Sequence, residues 1–476
     1  MRMMLVFLAL MGAHALAGCS CATSGGTHHD GGSPIERDGN GFDVNAPEPD
    51  TGSTTAPDTG NDAYVDRATF CAGTGPAVVV GDMVTGTATC AGAIAARVFD
   101  NALCTCTNAN VGGYLKTRSF DSGMGPGDMA YGAPVGIDQT DTTVGYTDIG
   151  GSLVIAGTGG VNFGGYLDVD GDASFGGRVQ AAGYIHIHRD LSVDGNVGGL
   201  LYTEVDRDAY VTSGHNLGIA ANVHGTTHNG ASVSIPPPCD CAPADIVDIG
   251  AIVTYGMTHN DNADVPLDPT ALASVTGIGV DITLPCGRFY ITEIGGLGTI
   301  TLHIHGRTAL YVGGDVDALG ALSVDLGTAG ELDLFIAGDM LSIGAGSFGD
   351  RARPAASRIY VGGTHDVTLV GASGFVGNVY APNARITAVG DTEVYGSLFG
   401  GQVDMPGYLN IHYDRAILDV DADCPPPPGE CSCMPGDGCV DHRACITGMC
   451  GDCHSDADCC APLVCYPGGT CGSLIL

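Results

Sequence analysis

The chain has no tryptophan, and aromatic residues make up only 6% of it. Side-chain platforms for stacking sugar rings are therefore expected to be scarce. Lysine is nearly missing, with Lys116 as its single instance. Lysine and arginine together number 17 against 53 acids, a formal charge of −36. A surface this acidic repels phosphate backbones, which excludes nucleic acid as a partner. No apolar run beyond the first residues is long enough to span a bilayer. No nucleophile elbow, zincin motif or phosphate loop occurs. What the chain does have is 77 glycines, 20 cysteines and 44% hydrophobic residues. That mixture excludes simple disorder, and without a strict Gly-X-Y period it excludes collagen.

Six stretches share the pattern apolar–x–apolar–x–Gly–(Asp/Thr/Asn): LVIAGT from Leu153, LDVDGD from Leu167, LSVDGN from Leu191, LYVGGD from Leu310, LFIAGD from Leu334 and IYVGGT from Ile359. Apolar alternation is the period of a strand with one buried face. The glycine reads as a turn position. The spacing is 24 residues from Leu167 to Leu191, 24 from Leu310 to Leu334 and 25 from Leu334 to Ile359. A strand-plus-turn unit at such a period implies a solenoid. The fold class expected is all-β: a parallel β-helix of about ten coils, roughly 50 Å long at 4.8 Å per stacked strand, with a small disulfide-rich C-terminal domain. Irregular coil lengths favour a right-handed helix over a strict hexapeptide one.

The chain divides as follows. Arg2 precedes an apolar run, Met3–Leu10, too short for a membrane span, and residues 1–18 read as a signal peptide. The segment Leu16-Ala17-Gly18-Cys19 resembles the lipobox of bacterial lipoproteins. That resemblance implies cleavage before Cys19, lipidation of Cys19, and a membrane partner reached through the lipid alone. An ordinary signal peptide would export the protein equally. Residues 19–66 are a Gly/Pro/Ser/Asp-rich tether. Residues 67–148 carry cysteines and read as an N-terminal cap on an open solenoid end. Residues 149–235 form a first β-helix block. Residues 236–281 form a break with Pro236-Pro237-Pro238 and a short amphipathic helix over Ala244–Tyr255. Residues 282–418 form a second block, in which the runs at Asn378, Glu393 and Asn410 read as successive tighter coils. Residues 419–476 form a cysteine-rich module.

Three runs in the second block, Cys286–Val316, Asn378–Gly401 and Leu409–Asp414, resemble a family of bacterial, myxobacterial-type envelope β-helix domains of unknown function, over roughly Ala244 to Leu418. The repeat style is also similar to bactofilins. The resemblance implies a fold and a location and supplies no catalytic residues. In the tail, Cys445, Cys450, Cys453, Cys459, Cys460, Cys465 and Cys471 have a spacing that resembles Dickkopf-like cysteine-rich repeats.

Export makes disulfides the expected state of the cysteines. The body contributes Cys71, Cys90, Cys104, Cys106, Cys239, Cys241 and Cys286. The tail adds Cys424, Cys431, Cys433 and Cys439 to the seven just named. Seven and eleven are both odd. Either one bridge joins body and tail, or one thiol in each stays free or pairs elsewhere. Zinc in the tail is the alternative, though Cys450-x2-Cys453 is its one CxxC.

Metal candidates are two His-x-His pairs, His186/His188 and His303/His305. Residues i and i+2 of a strand share a side, as a two-histidine site requires. A third ligand would come from a neighbouring coil, with His412 and Asp414 as candidates; the competing reading, which the pattern favours, is an exposed polar face with Ile187 and Ile304 pointing inward. Asp168-Val169-Asp170-Gly171-Asp172 starts like a calcium loop but has Ala173 and Val179 where Gly and Glu belong, which rejects an EF-hand. Scattered Ca2+ in turns stays open. The function expected is a cell-surface lipoprotein with a structural or adhesive role, a surface protein or a glycan as its ligand, and no enzyme activity. The alternative is a polysaccharide-active β-helix enzyme.

Overall fold

The computed structural model describes residues 67–420, apart from 73–78, 82–87, 130–131, 219, 278, 319–320, 344–347, 370–373 and 389, together with four short tail strands. It is a parallel β-solenoid of about 13 turns. Each coil visits three faces. In Leu153–Ile155, Val161–Phe163 and Leu167–Val169 the outer two residues of each strand are buried and the middle one is not. The buried positions stack into one continuous column of Leu, Ile, Val and Phe. From Leu167 onward a strand opens every six residues, at Ala173, Val179, Ile185, Leu191, Val197, Thr203 and Ala209. Three such units make an 18-residue coil, so Leu167 stacks on Ile185 and not on Leu191. The 24-residue spacing of the first block is therefore four six-residue units, not one coil. In the second block the 24- and 25-residue spacings are true coils, since Leu310, Leu334 and Ile359 are register partners. Of the three tighter runs, Glu393 and Asn410 pair, but Asn378 lies on a different face, beside Arg358.

The coils do not stack in chain order. Leu103–Thr105 pairs in parallel with Val135–Ile137 on one side and with Leu398–Met405 on the other. Leu115–Asp121 likewise lies between Thr147–Ile149 and Leu409–Asp414. The stack thus starts at Val280–Ile291, runs through the second block, crosses the coil of residues 103–121, and continues through the first block to Thr227–Ala231. Residues 67–148 were expected to close an end of the solenoid. Instead their central part is an interior coil, because both of its strand edges find partners.

This order obliges the chain to return from one end of the rod to the other between residues 232 and 279. The returning segment is pinned along its way. Cys239 and Cys241 are bonded to Cys104 and Cys106 of the central coil. The Val247 amide donates to the Tyr380 hydroxyl at 3.1 Å. A helix then forms at Ile249–Thr258, with the Asp248 carboxylate accepting from the Ala251 amide at its start. It begins five residues later than the apolar spacing suggests. Ile249, Ile252, Val253 and Gly256 face the second block, and Gly256 is required there because a Cβ would enter the Tyr311 ring. Asp261 accepts from the backbone and side chain of Arg288 at 2.8 and 3.2 Å, both side chains being 3% exposed. The N-terminal segment covers the same face. Its first helix, Arg67–Ala72, is tied to the starting coil by Cys71–Cys286. A second, Ala91–Val98, ends beside the central coil, where the Tyr413 hydroxyl donates to the Phe99 carbonyl at 2.6 Å. Cys90 is disulfide-bonded as well. No helix among the described residues is long and apolar enough to cross a membrane.

The glycine of the repeat has a different cause from the turn first inferred. None of the six repeat glycines has positive φ. A Cβ on Gly171 would lie 2.6 Å from the Gly151 carbonyl oxygen of the adjacent coil, so the need is for close backbone approach. The polar residue after it has a job of its own. Asp172 accepts from the Asp190 amide of the next coil at 3.1 Å, Asp190 from Asp208 at 3.0 Å, and Asp315 from Asp339 at 2.8 Å. Each side chain satisfies an amide at the corner, where no strand partner exists.

Two buried acids mark where this packing is costly. Asp333 and Arg358, adjacent across two coils and both 0% exposed, form a two-point ion pair at 2.6 and 2.9 Å. Asp333→Ala leaves a guanidinium buried without its main partner, and denaturant melts should show a loss of about 3–5 kcal/mol. Asp141 points inward, accepts from the Thr143 hydroxyl at 3.0 Å, and has its second oxygen unpartnered. Burial pushes its carboxyl up to about 7. Because the folded chain holds this proton more tightly than the unfolded chain, the group's contribution is full at acid pH, falls between about pH 4 and 7, and stays low above. Asp141→Asn should therefore raise stability at pH 8, flatten the slope below it, and change little at pH 4, as urea melts at the three values will read.

Candidate functional site

One face of the solenoid gathers most of the outward polar chemistry. Its middle strand positions run in register from Glu393 through Asn410, Lys116, Asp148, Asp168, His186 and Glu204 to Asn222. Two residues further along lie Tyr395, His412, Arg118, Gly150, Asp170, His188, Asp206 and His224. Parallel stacking makes each residue meet its counterpart one coil away. Arg118 grips Asp148 with two bonds of 2.9 and 2.8 Å, and Lys116 stands 3.7 Å off. His412 meets Glu393 at 2.7 Å and His224 meets Glu204 at 2.9 Å.

The densest part is His186/His188. Their ring centroids are 3.9 Å apart. Asp206, on the next coil, faces both: Oδ1 to His186 Nε2 and Oδ2 to His188 Nδ1, each at 3.2 Å. Asp168, on the previous coil, lies 3.1 Å from His188 Nε2 and 4.0 Å from His186 Nδ1. Glu204 completes a second cluster with His186 and Asp206. All are partly exposed. Burial raises the Asp168 carboxyl, against the pull of both imidazoles. At Asp206 burial also acts upward, but the His186 hydrogen bond and the two imidazoles outweigh it and hold the carboxyl below its ordinary value.

The four histidines proposed from sequence thus part company. His186 and His188 acquire carboxylates from both neighbouring coils. The expectation of a metal pair at His303 and His305 is corrected: among the described residues neither joins a cluster of three possible ligands. The cause is what register sets beside them. His303 lies between Thr283 and Asp325, and meets Asp325 alone, at 3.2 Å. His305 has Pro285 as its neighbour on one side, lies past the end of the strand Ala321–Asp325 on the other, and is exposed. A second carboxylate is therefore missing where the first block supplies one. His412 and Asp414, weighed as third ligands, lie elsewhere: His412 pairs with Glu393, while Asp414 is buried and accepts from Ser122 and Ala355. In the DVDGD run, Asp168 faces the histidines and Asp172 serves the corner ladder, so no calcium loop is formed.

Sequence reasoning missed a second feature. Tyr408, Tyr114, Tyr146, Tyr166, Tyr184 and Tyr202 stack along the edge of this face, with successive centroids 4.2, 4.6, 4.6, 4.8 and 5.3 Å apart. The low aromatic content concealed a ladder that uses few residues in one place. The signal was present as Gly-Tyr before the strands at Leu115, Thr147, Leu167, Ile185 and Leu409. The glycines let the corners approach: a Cβ on Gly183 would sit 3.0 Å from the Gly165 carbonyl oxygen. Each ring covers its neighbour's face, so mostly edges and hydroxyls reach solvent. Burial and the neighbouring rings raise the Tyr166 hydroxyl to about 12, and Tyr114 and Tyr184 are raised by burial in the same way.

The tail module falls outside the described residues except for its strands. Ala444–Ile446 pairs antiparallel with Met449–Gly451, and Leu463–Tyr466 with Thr470–Ser473, which sets Cys445 opposite Cys450 and Cys465 opposite Cys471. The tether and Cys19 lie outside them entirely.

Residues 249–420 match a family described as DUF7305, a domain of unknown function. This nearly coincides with the Ala244–Leu418 stretch likened above to a β-helix domain of unknown function. No curated protein matches the chain. A crystal structure of an ice binding protein from an Antarctic bacterium, Flavobacteriaceae, is similar at 13% identity, covering 67% of this chain and 97% of its own, with a TM-score of 0.18. A likeness at that score carries no argument about this chain.

Removing the central ring should reveal what the ladder contributes. Tyr166→Ala breaks two stacked contacts and should cost about 2–4 kcal/mol in denaturant melts. In the wild type, alkaline titration followed by near-ultraviolet absorbance should show a group of tyrosines ionising well above the ordinary value of about 10.

Proposed function

We propose that this chain is an exported surface lipoprotein whose β-solenoid is a rigid rod with a structural or binding role, carrying a cysteine-rich module. The observation that carries the reading is the pinned, continuous stack. Among the described residues the interior coils bond to a coil on either side, and disulfides tie the two long outer segments to the rod. Such a body resists bending, and its disulfides belong to an oxidising compartment, which suits an extended object outside the cell. The first described helix, Arg67–Ala72, is tied to the coil bearing Cys286, and the last described turn, Arg415–Asp419, follows the strand beside the central coil. On this reading the lipid on Cys19 anchors the chain, and the coils of residues 135–231 carry the acid–histidine face. Ligands of that face would be a surface protein or a glycan.

A second reading, a polysaccharide-active enzyme, draws on one observation: Asp148, Asp168, Glu204 and Asp206 lie within four successive coils beside the tyrosine ladder. Against it, the tyrosine faces are occupied by one another, and these carboxylates are engaged by Arg118 or by histidines.

Mass spectrometry of the protein from membranes should find Cys19 as a diacylglyceryl-modified N-terminus, and Cys19→Ala should move the chain to the soluble fraction. An unmodified Cys19 in the native protein would remove the anchor. A glycan array and hydrolase screen should give binding without turnover; turnover lost in Glu204→Gln would instead favour the enzyme.

A further inference from the structure

We propose that Asp168, His186 and His188 form a binding site for one divalent transition-metal ion of the zinc class, with Asp206 holding both imidazoles in place. The inference does not depend on the anchor.

The argument rests on which ring nitrogen faces what. Asp206 engages His186 through Nε2 and His188 through Nδ1. A carboxylate accepts only, so both of those nitrogens carry the hydrogen. With those hydrogens in place, the opposite nitrogens, His186 Nδ1 and His188 Nε2, are the ones left to face a ligand. Both of these turn toward Asp168 Oδ1, at 4.0 and 3.1 Å. The 3.1 Å contact is closed by a proton on Nε2 when no ion is bound, and a metal displacing that proton would take all three atoms as ligands. Around an ion with bonds of about 2.0–2.2 Å in tetrahedral geometry, ligand atoms sit roughly 3.3 Å apart. The observed separations bracket that value. The fourth position would open to solvent, since the three side chains are 22–33% exposed.

Carboxylates that accept from the far nitrogen of a metal-binding histidine are the usual means of fixing its tautomer and ring angle. Here one carboxylate serves two rings. Other histidines lack that arrangement: His224 and His412 of this face meet a carboxylate through a single nitrogen, as does His303 on the second block. Two nitrogen donors favour Zn2+, Co2+, Ni2+ or Cu2+ over Ca2+ and Mg2+, which take oxygen.

The test uses the full chain, oxidised, stripped with chelator and titrated with Zn2+, Co2+ and Ca2+. Wild type should bind one more equivalent of Zn2+ than His186→Ala/His188→Ala, while His303→Ala/His305→Ala should match wild type. That pair of controls separates this site from any metal taken up by tail cysteines. Bound Co2+ should show the visible bands of a nitrogen- and oxygen-ligated site without sulfur charge transfer. Asp206→Asn should weaken Zn2+ by about 10–100-fold and leave the stoichiometry intact. Should the double alanine variant melt early, Asp168→Asn provides the second reading and should also lose the equivalent. Equal Zn2+ stoichiometry in wild type and both site variants, no uptake at all, or a preference for Ca2+ would each overturn the proposal.

Discussion

The structure depends on in-register parallel hydrogen bonding between successive coils. No single coil buries its own apolar residues; each gains a core only when its neighbours close above and below it. Leu, Ile and Val at alternate positions fill the column, and the backbone groups of the strand residues are passed to the adjacent coils. Corners cannot use the ladder, and there two devices take over. Glycine lets carbonyls of adjacent coils approach where a Cβ would collide, and an Asp or Asn accepts the amide at the same corner one coil on. The repeat Gly-Asp is therefore one unit of chemistry.

The same register organises the outside. Whatever residue type sits at one outward position is brought within bonding distance of the same position one coil away. Acids that would repel one another are accordingly interleaved: Asp148 with Lys116 and Arg118, Asp168 and Asp206 with His186 and His188, Glu204 with His224. In a chain with so few cations, histidine serves as the hydrogen-bond partner that separates these acids. The tyrosine ladder follows from the same rule applied at a corner.

How much of this was legible in the sequence varies by residue. The strands and the parallel solenoid were readable, and in the second block Leu310, Leu334 and Ile359 repeat as true coil partners. The first block was misread at the level of the coil. Its six-residue period hides inside a 24-residue spacing when only Leu167 and Leu191 are compared, and Ala173, Val179 and Ile185 between them are equally apolar. The position of residues 103–121 was not legible at all: adjacency of Leu103 to Leu398 is a fact of topology, carried by no local pattern. The His186/His188 pair was visible as a same-side pair. Its partners were not, since Asp168 and Asp206 lie 18 to 20 residues away and only the coil length makes them neighbours. His303 and His305 look the same in sequence, and only the residues one coil away, Pro285 among them, tell the two pairs apart. The tyrosines escaped because a count over the whole chain says nothing of local density.

The central coil has a further consequence, for the order of events as the chain is made. Residues 103–121 emerge early, yet the strands that cover one of their edges arrive about 290 residues later. During synthesis and export that edge stays raw, a template on which any passing strand could grow. The cross-links from Cys104 and Cys106 to Cys239 and Cys241 lie 135 residues apart and involve nothing from the second block. They become available before the last coil docks, and so the half-built rod is already held in the shape that its final strands must fit.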